Sequence, residues 1–403
     1  MRVDLIRIES VVAPSPVWTL GEIQTTGASP RAVAEAAARR DPAADAGLFW
    51  DAALGLPDET IVRAALRESG DVWHAGLALG MGRLPRMINF VDPVWRFNCD
   101  PGPGINAVSW RLSLGVCLTR AAVLDRLGGP DPHFETLAGA SLELGHRWIR
   151  GGALMRHVAG LLPATGPSLP LAAVSLDDEI RFLRLRYGRI WTAWACWRRG
   201  RHDGGWSETA RAFRRPQAPG VTPVVDHLHE PLVVAPDAGE ELPTVSVLIP
   251  TLDRYPHLFN LLAQLRDTVN PAFMPRPLDI IVVDQTAPES RDTRWPERFA
   301  DLPLCVLWRD VAGQCSSRNA GLAQARGDMV LFLDDDDEIE PDLIGCHLAF
   351  LRRCDADASC GVAHETGAGP LPPEFGLIRD SDVFPTNNSL LRLKSLRDSG
   401  LFD

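Results

Sequence analysis

Four consecutive aspartates, Asp334 to Asp337, follow the apolar run Met329 to Leu333. A short apolar run of this kind is typical of a buried strand. Four adjacent carboxylates repel one another at neutral pH unless a cation or a donor-rich ligand compensates their charge. Open α/β sheets bind ligands beyond the carboxyl ends of their strands, so the run predicts a divalent-metal site for a phosphorylated substrate. A solvated acidic loop is the alternative interpretation.

Residues 242–403 carry an alternating pattern of strands and helices around this run. The apolar and β-branched stretches predict strands over 244–249, 278–283, 304–308 and 329–333. Helical spacing of apolar residues predicts helices over 256–266 and 316–326. Such alternation predicts an α/β domain with a mostly parallel sheet and right-handed crossovers.

The N-terminal region holds a weak internal repeat of this pattern. The segment LFWDAALGLPDET at 48–60 resembles LFLDDDDEIEPDL at 331–343, and 115–129 resembles 388–400 in the same order. In the first copy Asp51 is followed by two alanines, so the carboxylate cluster is absent. We therefore predict a degenerate module over 1–160, a helical and Pro-rich connector over 161–241, and an α/β domain over 242–403.

Composition excludes several classes of function and location. A net charge of −11 argues against nucleic acid as a general partner. Eight cysteines without a CxxC pair predict reduced thiols and a cytoplasmic protein. The charged N-terminus predicts no signal peptide, and no apolar stretch reaches the length of a transmembrane helix.

Residues 180–197 form an amphipathic pattern rich in tryptophan and arginine. Its apolar stripe is predicted to contain Ile180, Leu183, Tyr187, Ile190, Trp191 and Trp194, with Arg181, Arg184 and Arg189 elsewhere. One interpretation is a membrane-surface or lipid-substrate helix, which would place the protein peripherally at the inner face of the membrane. The other is an ordinary helix that packs its stripe on a domain.

Four sequence blocks in order resemble family 2 glycosyltransferases, which have the Rossmann-like GT-A fold. They are 245–254 (VSVLIPTLDR), 280–285 (IIVVDQ), 313–321 with its SRNAG, and 332–337 (FLDDDD), which is similar to the family's DxD block. The resemblance spans about residues 244–345 and implies a nucleotide-sugar donor and a divalent metal, Mn²⁺ or Mg²⁺. The N-terminal copy resembles a degenerate GT-A module.

The resemblance implies roles for individual residues of the donor site. Asp284 reads the nucleobase, while Asp335 lies near the ribose. Asp336 and Asp334 ligate the metal, and Asp336 bridges it to the diphosphate. The remaining implied donor-binding residues are Pro250, Thr251, Asp253, Arg254, Arg318 and Asn319. The Arg318 guanidinium suits either a diphosphate or the face of a base.

The general base that the family needs is not assigned. In inverting members it belongs to a Glu-Asp pair that follows a Gly-Gly-Phe-Asp-like turn, and Asp403 matches only the acid of that turn. The resemblance therefore predicts either a chain cut short before the base helix or a protein without this step. The N-terminal copy has Ala140 and Ser141 where the pair should fall, and only Glu135 and Glu143 nearby.

The leading prediction is metal-dependent transfer of a sugar from a nucleotide-diphosphate donor, with inversion, to a glycan, lipid-linked or protein acceptor that the sequence does not identify. A non-catalytic nucleotide-sugar binder or scaffold is the alternative. A sugar nucleotidyltransferase is disfavoured, because the loop 251–254 after the first strand has no glycine. One further hypothesis has Glu135 or Glu143 supplying the missing base.

Overall fold

The computed structural model describes residues 1–9, 17–83, 86–91, 102–163, 173–222, 228–229, 242–267, 279–381 and 383–402. Contacts within the chain define two compact units. Unit 1 comprises Met1–Glu230 with Pro372–Asp382, and unit 2 comprises Pro231–Leu371 with Val383–Asp403. Leu278 and Asp403 lie outside the described residues, and the predicted domain limits stay predictions.

Unit 1 contains a seven-stranded sheet with helices. Its strands are β1 (Val3–Glu9), β2 (Ile23–Gly27), β3 (Ala46–Asp51), β4 (Val72–His74), β5 (Ala107–Val108), β6 (Val116–Arg120) and β7 (Met155–His157). Its helices are α1 (Pro30–Ala38), α2 (Glu59–Ala65), α3 (Ala121–Leu127), α4 (Leu137–Arg150), α5 (Leu176–Asp203) and α6 (Trp206–Arg214). The strand order is β2-β1-β3-β6-β4-β7-β5.

Unit 2 contains a six-stranded sheet in the order β10-β9-β8-β11-β13-β12. Its strands are β8 (Val245–Thr251), β9 (Asp279–Asp284), β10 (Leu304–Trp308), β11 (Met329–Phe332), β12 (Ala358–Cys360) and β13 (Ser389–Arg392). Its helices are α7 (Tyr255–Asp267), α8 (Gln314–Leu322), α9 (Leu343–Cys354) and α10 (Leu393–Ser399). Strands β10, β9, β8 and β11 are parallel, so the predicted α/β class with a mostly parallel core is confirmed.

The two sheets share a topology over five strands. In unit 2 the run β9-β8-β11-β13-β12 has two parallel pairs followed by two antiparallel pairs. In unit 1 the run β2-β1-β3-β6-β4 has the same order and the same directions. The strands β3 and β6 carry the segments that the sequence repeat pairs with β11 and β13.

The helix predicted over 316–326 is too long. Helix α8 ends at Leu322, because the backbone N–H groups of Arg326 and Gly327 both donate to the Ser246 hydroxyl at 3.2 and 2.9 Å. The side chain on β8 thus competes with the helix for these donors.

The predicted single stripe along 180–197 is wrong, because Gly188 interrupts α5 with φ +78°. Before the break, Ile180 and Leu183 are fully buried, and Arg181 is buried with them. Beyond it, Ile190 and Trp191 are exposed. The predicted stripe therefore packs on the domain only in the first half of the helix, and the second half buries Thr192, Ala195 and Cys196 instead.

Candidate functional site

Three parallel strands of unit 2 deliver polar side chains to one edge of the sheet. The register pairs Thr251 of β8 with Asp284 of β9, and β11 lies on the other side of β8 with the aspartate run directly after it. The Thr251 hydroxyl donates to Asp335 Oδ2 at 2.7 Å. Asp335 is only 5% exposed, so this bond fixes it against the end of β8.

The aspartate run forms a tight turn beyond β11. The backbone N–H of Asp334 donates to Asp337 Oδ2 at 2.8 Å, and the N–H of Asp337 donates to the Asp334 carbonyl at 3.2 Å. Burial raises the pKa of both carboxyls, although Arg318 opposes the rise at Asp334. The side chains of Asp334 and Asp336 are 37% and 48% exposed.

Two arginines compensate the charge of the run. Arg254 Nη1 lies 2.6 Å from Asp336 Oδ2 and 3.5 Å from Asp335 Oδ1, and these two carboxylates raise the pKa of its guanidinium. Arg318 Nη2 lies 2.9 Å from Asp334 Oδ1. The Arg318 side chain is almost fully buried, and its Nε has no acceptor in the described part of the chain. The Nε atoms of Arg40, Arg181 and Arg309 likewise have no acceptor there, so this feature alone does not mark a ligand site.

Asp284 is fully buried and oriented by three donors. Its Oδ1 accepts from the Thr286 N–H at 2.9 Å. Its Oδ2 accepts from the Tyr255 hydroxyl at 3.0 Å and from Trp295 Nε1 at 3.3 Å. A carboxylate can accept about four hydrogen bonds, so these three donors leave one acceptor position of the buried side chain unassigned. The base-reading role of Asp284 stays a prediction.

The other predicted donor-binding residues have local structural partners. Pro250 pairs with Val283 in the register, and Asp253 adopts φ +56° while its N–H donates to Thr286 Oγ1 at 3.1 Å. Asn319 exchanges two hydrogen bonds with the main chain of Phe402, at 2.6 and 3.0 Å. Its amide therefore ties α8 to the chain near residue 402, and its contact with a donor stays a prediction.

Sequence reasoning missed Tyr255 and Trp295, which hold Asp284. Tyr255 is one of only two tyrosines in the chain, and it begins the helix that follows the loop 252–254. Its rarity and its position next to the predicted donor-binding loop could have indicated a role in the site. Trp295 stands in a short 3₁₀ turn, Trp295–Phe299, whose sequence carries no comparable signal.

The donor atoms fit a hard divalent cation that shares its coordination with a substrate. Among the described residues, no three His, Cys, Asp or Glu side chains are grouped as metal ligands. Asp334 and Asp336 nevertheless offer two accessible carboxylates, and Mn²⁺ and Mg²⁺ commonly combine one or two carboxylates with phosphate oxygens.

The turn after β3, which is described in full, carries one aspartate where the turn after β11 carries four. Asp51 Oδ1 accepts from the Ala53 N–H at 2.9 Å and so caps the short 3₁₀ turn Ala52–Leu54 that follows β3. Glu135 accepts from Ser175 and Arg215, whose hydrogen bonds lower its pKa. Glu143 is buried in ion pairs with two arginines, Arg147 and Arg186. These pairings disfavour both acids as a general base.

Comparison with known proteins gives a family-model match in the C-terminal region. Residues 246–392 match the family model described as Glycosyl transferase family 2, whereas no curated protein matches the chain. Within the described residues, no helix has the length and apolar character needed to cross a membrane.

Two solved structures illustrate the more distant similarity. The mannosyltransferase PcManGT from Pyrobaculum calidifontis, in complex with GDP-Man and Mn²⁺, is 21% identical, with 44% of this chain and 52% of that chain covered and a TM-score of 0.36. TarS 1–349 from S. aureus, in complex with UDP-GlcNAc, is 21% identical, with 40% and 48% covered and a TM-score of 0.31. The chain thus spans about half the length of each. The similarity of this region to family 2 glycosyltransferases therefore rests on the family-model match over residues 246–392.

Proposed function

We propose that the chain transfers a sugar from a nucleoside-diphosphate donor to an acceptor hydroxyl, with a divalent cation and with inversion at the sugar. The family match supports the reaction class. The observation that carries the proposal is the convergence of Thr251, Asp284 and the aspartate run at the carboxyl ends of adjacent parallel strands. This is the edge at which open α/β sheets bind nucleotides.

In the proposed complex the nucleoside lies between Asp284 and Asp335. Asp284 is held rigidly by its three donors, so a base N–H would meet a preoriented acceptor. Pro250 and Thr251 form the floor at the end of β8. Asp335 is fixed by Thr251 and faces the ribose in this arrangement.

The diphosphate is proposed to lie over Asp334 and Asp336. These two carboxylates would hold Mn²⁺ or Mg²⁺, which would supply charge neutralisation for the leaving nucleoside diphosphate. Arg254 now neutralises Asp336, and its half-exposed side chain is free to turn toward phosphate oxygens. Arg318 is buried and paired with Asp334, so it provides a fixed positive charge beside the same group.

Unit 1 is proposed to be a degenerate copy that binds no donor. The shared order of five strands supports the common origin, and the two alanines after Asp51 remove the carboxylates. One nucleotide per chain is therefore expected by calorimetry. Two equivalent sites per chain would contradict the proposed degeneracy.

Turnover tests the proposed activity. Full-length protein is incubated with Mn²⁺, an acceptor panel of sugars, lipid-linked sugars and peptides, and in turn UDP-, GDP- and TDP-sugars, and the released nucleoside diphosphate is measured. Release that depends on an added acceptor, for one donor class, supports a transferase, whereas release without any acceptor reports hydrolysis of the donor. Tight donor binding without release under any acceptor supports the binder alternative and contradicts the proposed reaction.

A further inference from the structure

The second half of α5 presents an aromatic face to solvent. With 100° per residue, Ile190, Trp194 and Trp197 lie within about 60° of one another, and Trp191 lies beside them. The opposite side of the same turns is buried through Thr192, Ala195 and Cys196. The helix therefore packs one side on unit 1 and leaves its large apolar side chains outside.

Two indole rings of this face stack on each other, and a third indole packs on the same helix. Trp194 and Trp197 stack with ring centroids 5.0 Å apart, and the Trp194 Nε1 donates to the Phe90 carbonyl at 3.2 Å. Trp206 of α6 packs on the helix at Gly200, where an added Cβ would meet its ring at 2.5 Å. The exposed fraction of these side chains ranges from 41% to 83% over Ile190, Trp191, Trp194, Trp197 and Trp206.

Arginines surround the aromatic surface. Residues 184–215 contain nine arginines and two carboxylates in a chain whose net charge is −11. Two of these arginines, Arg186 and Arg215, pair with carboxylates outside the segment. Arg198 lies over the Trp194 ring at 5.8 Å, and Arg201 lies over the Trp197 ring at 5.9 Å. Among the described residues, no carboxylate forms an ion pair with the arginines at positions 189, 198, 201, 211 or 214.

We propose that this Trp-Arg surface binds the headgroup region of an anionic lipid membrane. Indole rings prefer the boundary between headgroups and acyl chains. Arginine side chains bury their apolar stems along apolar surface while their guanidinium groups reach the phosphates. Exposed aromatic side chains on one helix face, flanked by unpaired arginines, are the features of an interfacial helix. The concentration of positive charge here supplies complementarity to an anionic surface.

The shape of the surface favours a lipid partner over a protein. The exposed aromatic side chains lie on the outer side of α5 and of the adjoining α6. The buried residues between Ile190 and Trp197 lie on the opposite side of α5 and face inward. A surface of this kind inserts between headgroups without a complementary cavity. A second copy of this acidic chain is the competing partner, and the experiment separates the two.

Vesicle flotation tests the proposal with the full-length protein. Vesicles of phosphatidylcholine are compared with vesicles that also contain phosphatidylserine, at low and high salt. The wild type is expected to float with the anionic vesicles and to be released by salt. The Trp191→Ser/Trp194→Ser/Trp197→Ser and Arg189→Gln/Arg201→Gln variants are each expected to weaken binding on the order of tenfold.

Matched variants on other exposed positions of unit 1 control for general surface effects. Val17→Ser/Leu56→Ser/Ile105→Ser matches the apolar change, and Arg39→Gln/Arg67→Gln matches the charge change. Both controls are expected to bind like the wild type, with circular dichroism confirming that every variant is folded.

Three outcomes would overturn the proposal. The folded wild type could fail to bind anionic vesicles, or the control variants could lose as much binding as the test variants. Sedimentation could also show a concentration-dependent dimer that the tryptophan variants abolish while vesicle binding is unchanged, which would assign the surface to a second copy. None of these readouts depends on glycosyl transfer.

Discussion

Substitution of His146 is expected to change how the stability of unit 1 depends on pH. Burial, followed by the nearby charges of Arg186 and Arg150, lowers the pKa of His146 from 6.5 to about 3. Its ring makes edge-to-face contacts with Trp110 and Phe182, at centroid distances of 5.2 and 5.5 Å, and its Nδ1 has no partner among the described residues. Phenylalanine keeps these edge-to-face contacts and removes the titrating group.

The sign and size of the effect follow from the two pKa values. Below pH 6.5 the unfolded chain binds a proton at His146 that the folded chain excludes until about pH 3. The free energy of unfolding therefore falls as the pH falls, by about 1.4 kcal/mol for each pH unit. Between pH 6.5 and pH 5 the free energy of unfolding of the wild type should therefore fall by about 2 kcal/mol more than that of His146→Phe.

Urea unfolding of both proteins at pH 7.5, 6.5, 5.5 and 5 provides the measurement. Carboxyl groups with raised pKa values, such as Asp178 and Asp380, act in the opposite direction, but they are common to both proteins and cancel in the difference. Equal losses of stability in the two proteins would refute the reasoning, because His146 would then titrate in the folded state as it does in the unfolded state.

The remaining predictions concern close packing in unit 1 and the charge of the donor site. Gly145→Ala should lower the free energy of unfolding by roughly 3 kcal/mol, because the new Cβ would lie 2.0 Å from the Trp110 carbonyl oxygen. Gly160→Ala, which meets nothing within 4 Å, should change it little, and equal effects in urea titrations would contradict the packing argument. Arg254→Gln should tighten the binding of Mn²⁺ alone and weaken that of the nucleoside diphosphate, since the guanidinium now neutralises Asp336. Calorimetry that shows both affinities unchanged would count against this account.

The sequence predicts the four parallel strands of unit 2, β8 to β11, because each is a short apolar run, whereas β12 and β13 were not predicted. It also predicts which side chains stand at the strand ends, since parallel strands bring their carboxyl ends to one edge. The hydrogen bond from Thr251 to Asp335 follows from the neighbouring positions of β8 and β11. The repeat between the two halves predicts the similarity that the strand orders of the two sheets display.

Features that depend on one backbone angle or on packing between distant segments are not predictable in this way. The break of α5 at Gly188 arises from a positive φ at this glycine. The spacing of apolar residues, on which the predicted stripe was based, contains no information about that angle. Two of the three donors to Asp284 come from Tyr255 and Trp295, which are 29 and 11 residues away in the chain. Such contacts need the tertiary arrangement of a helix and a 3₁₀ turn around one strand end.

Nucleotide binding with and without Mn²⁺ tests the central claim most directly. Calorimetry measures the binding of UDP, GDP and TDP to the wild type, Asp336→Asn and Asp342→Asn. Asp336 is the proposed metal ligand, and Asp342 is an exposed acid whose substitution makes the same change of charge. We expect one nucleotide to bind the wild type and Asp342→Asn more tightly with Mn²⁺, and Asp336→Asn to lose that gain. Failure of all three nucleotides to bind, or an unchanged Mn²⁺ dependence in Asp336→Asn, would contradict the account.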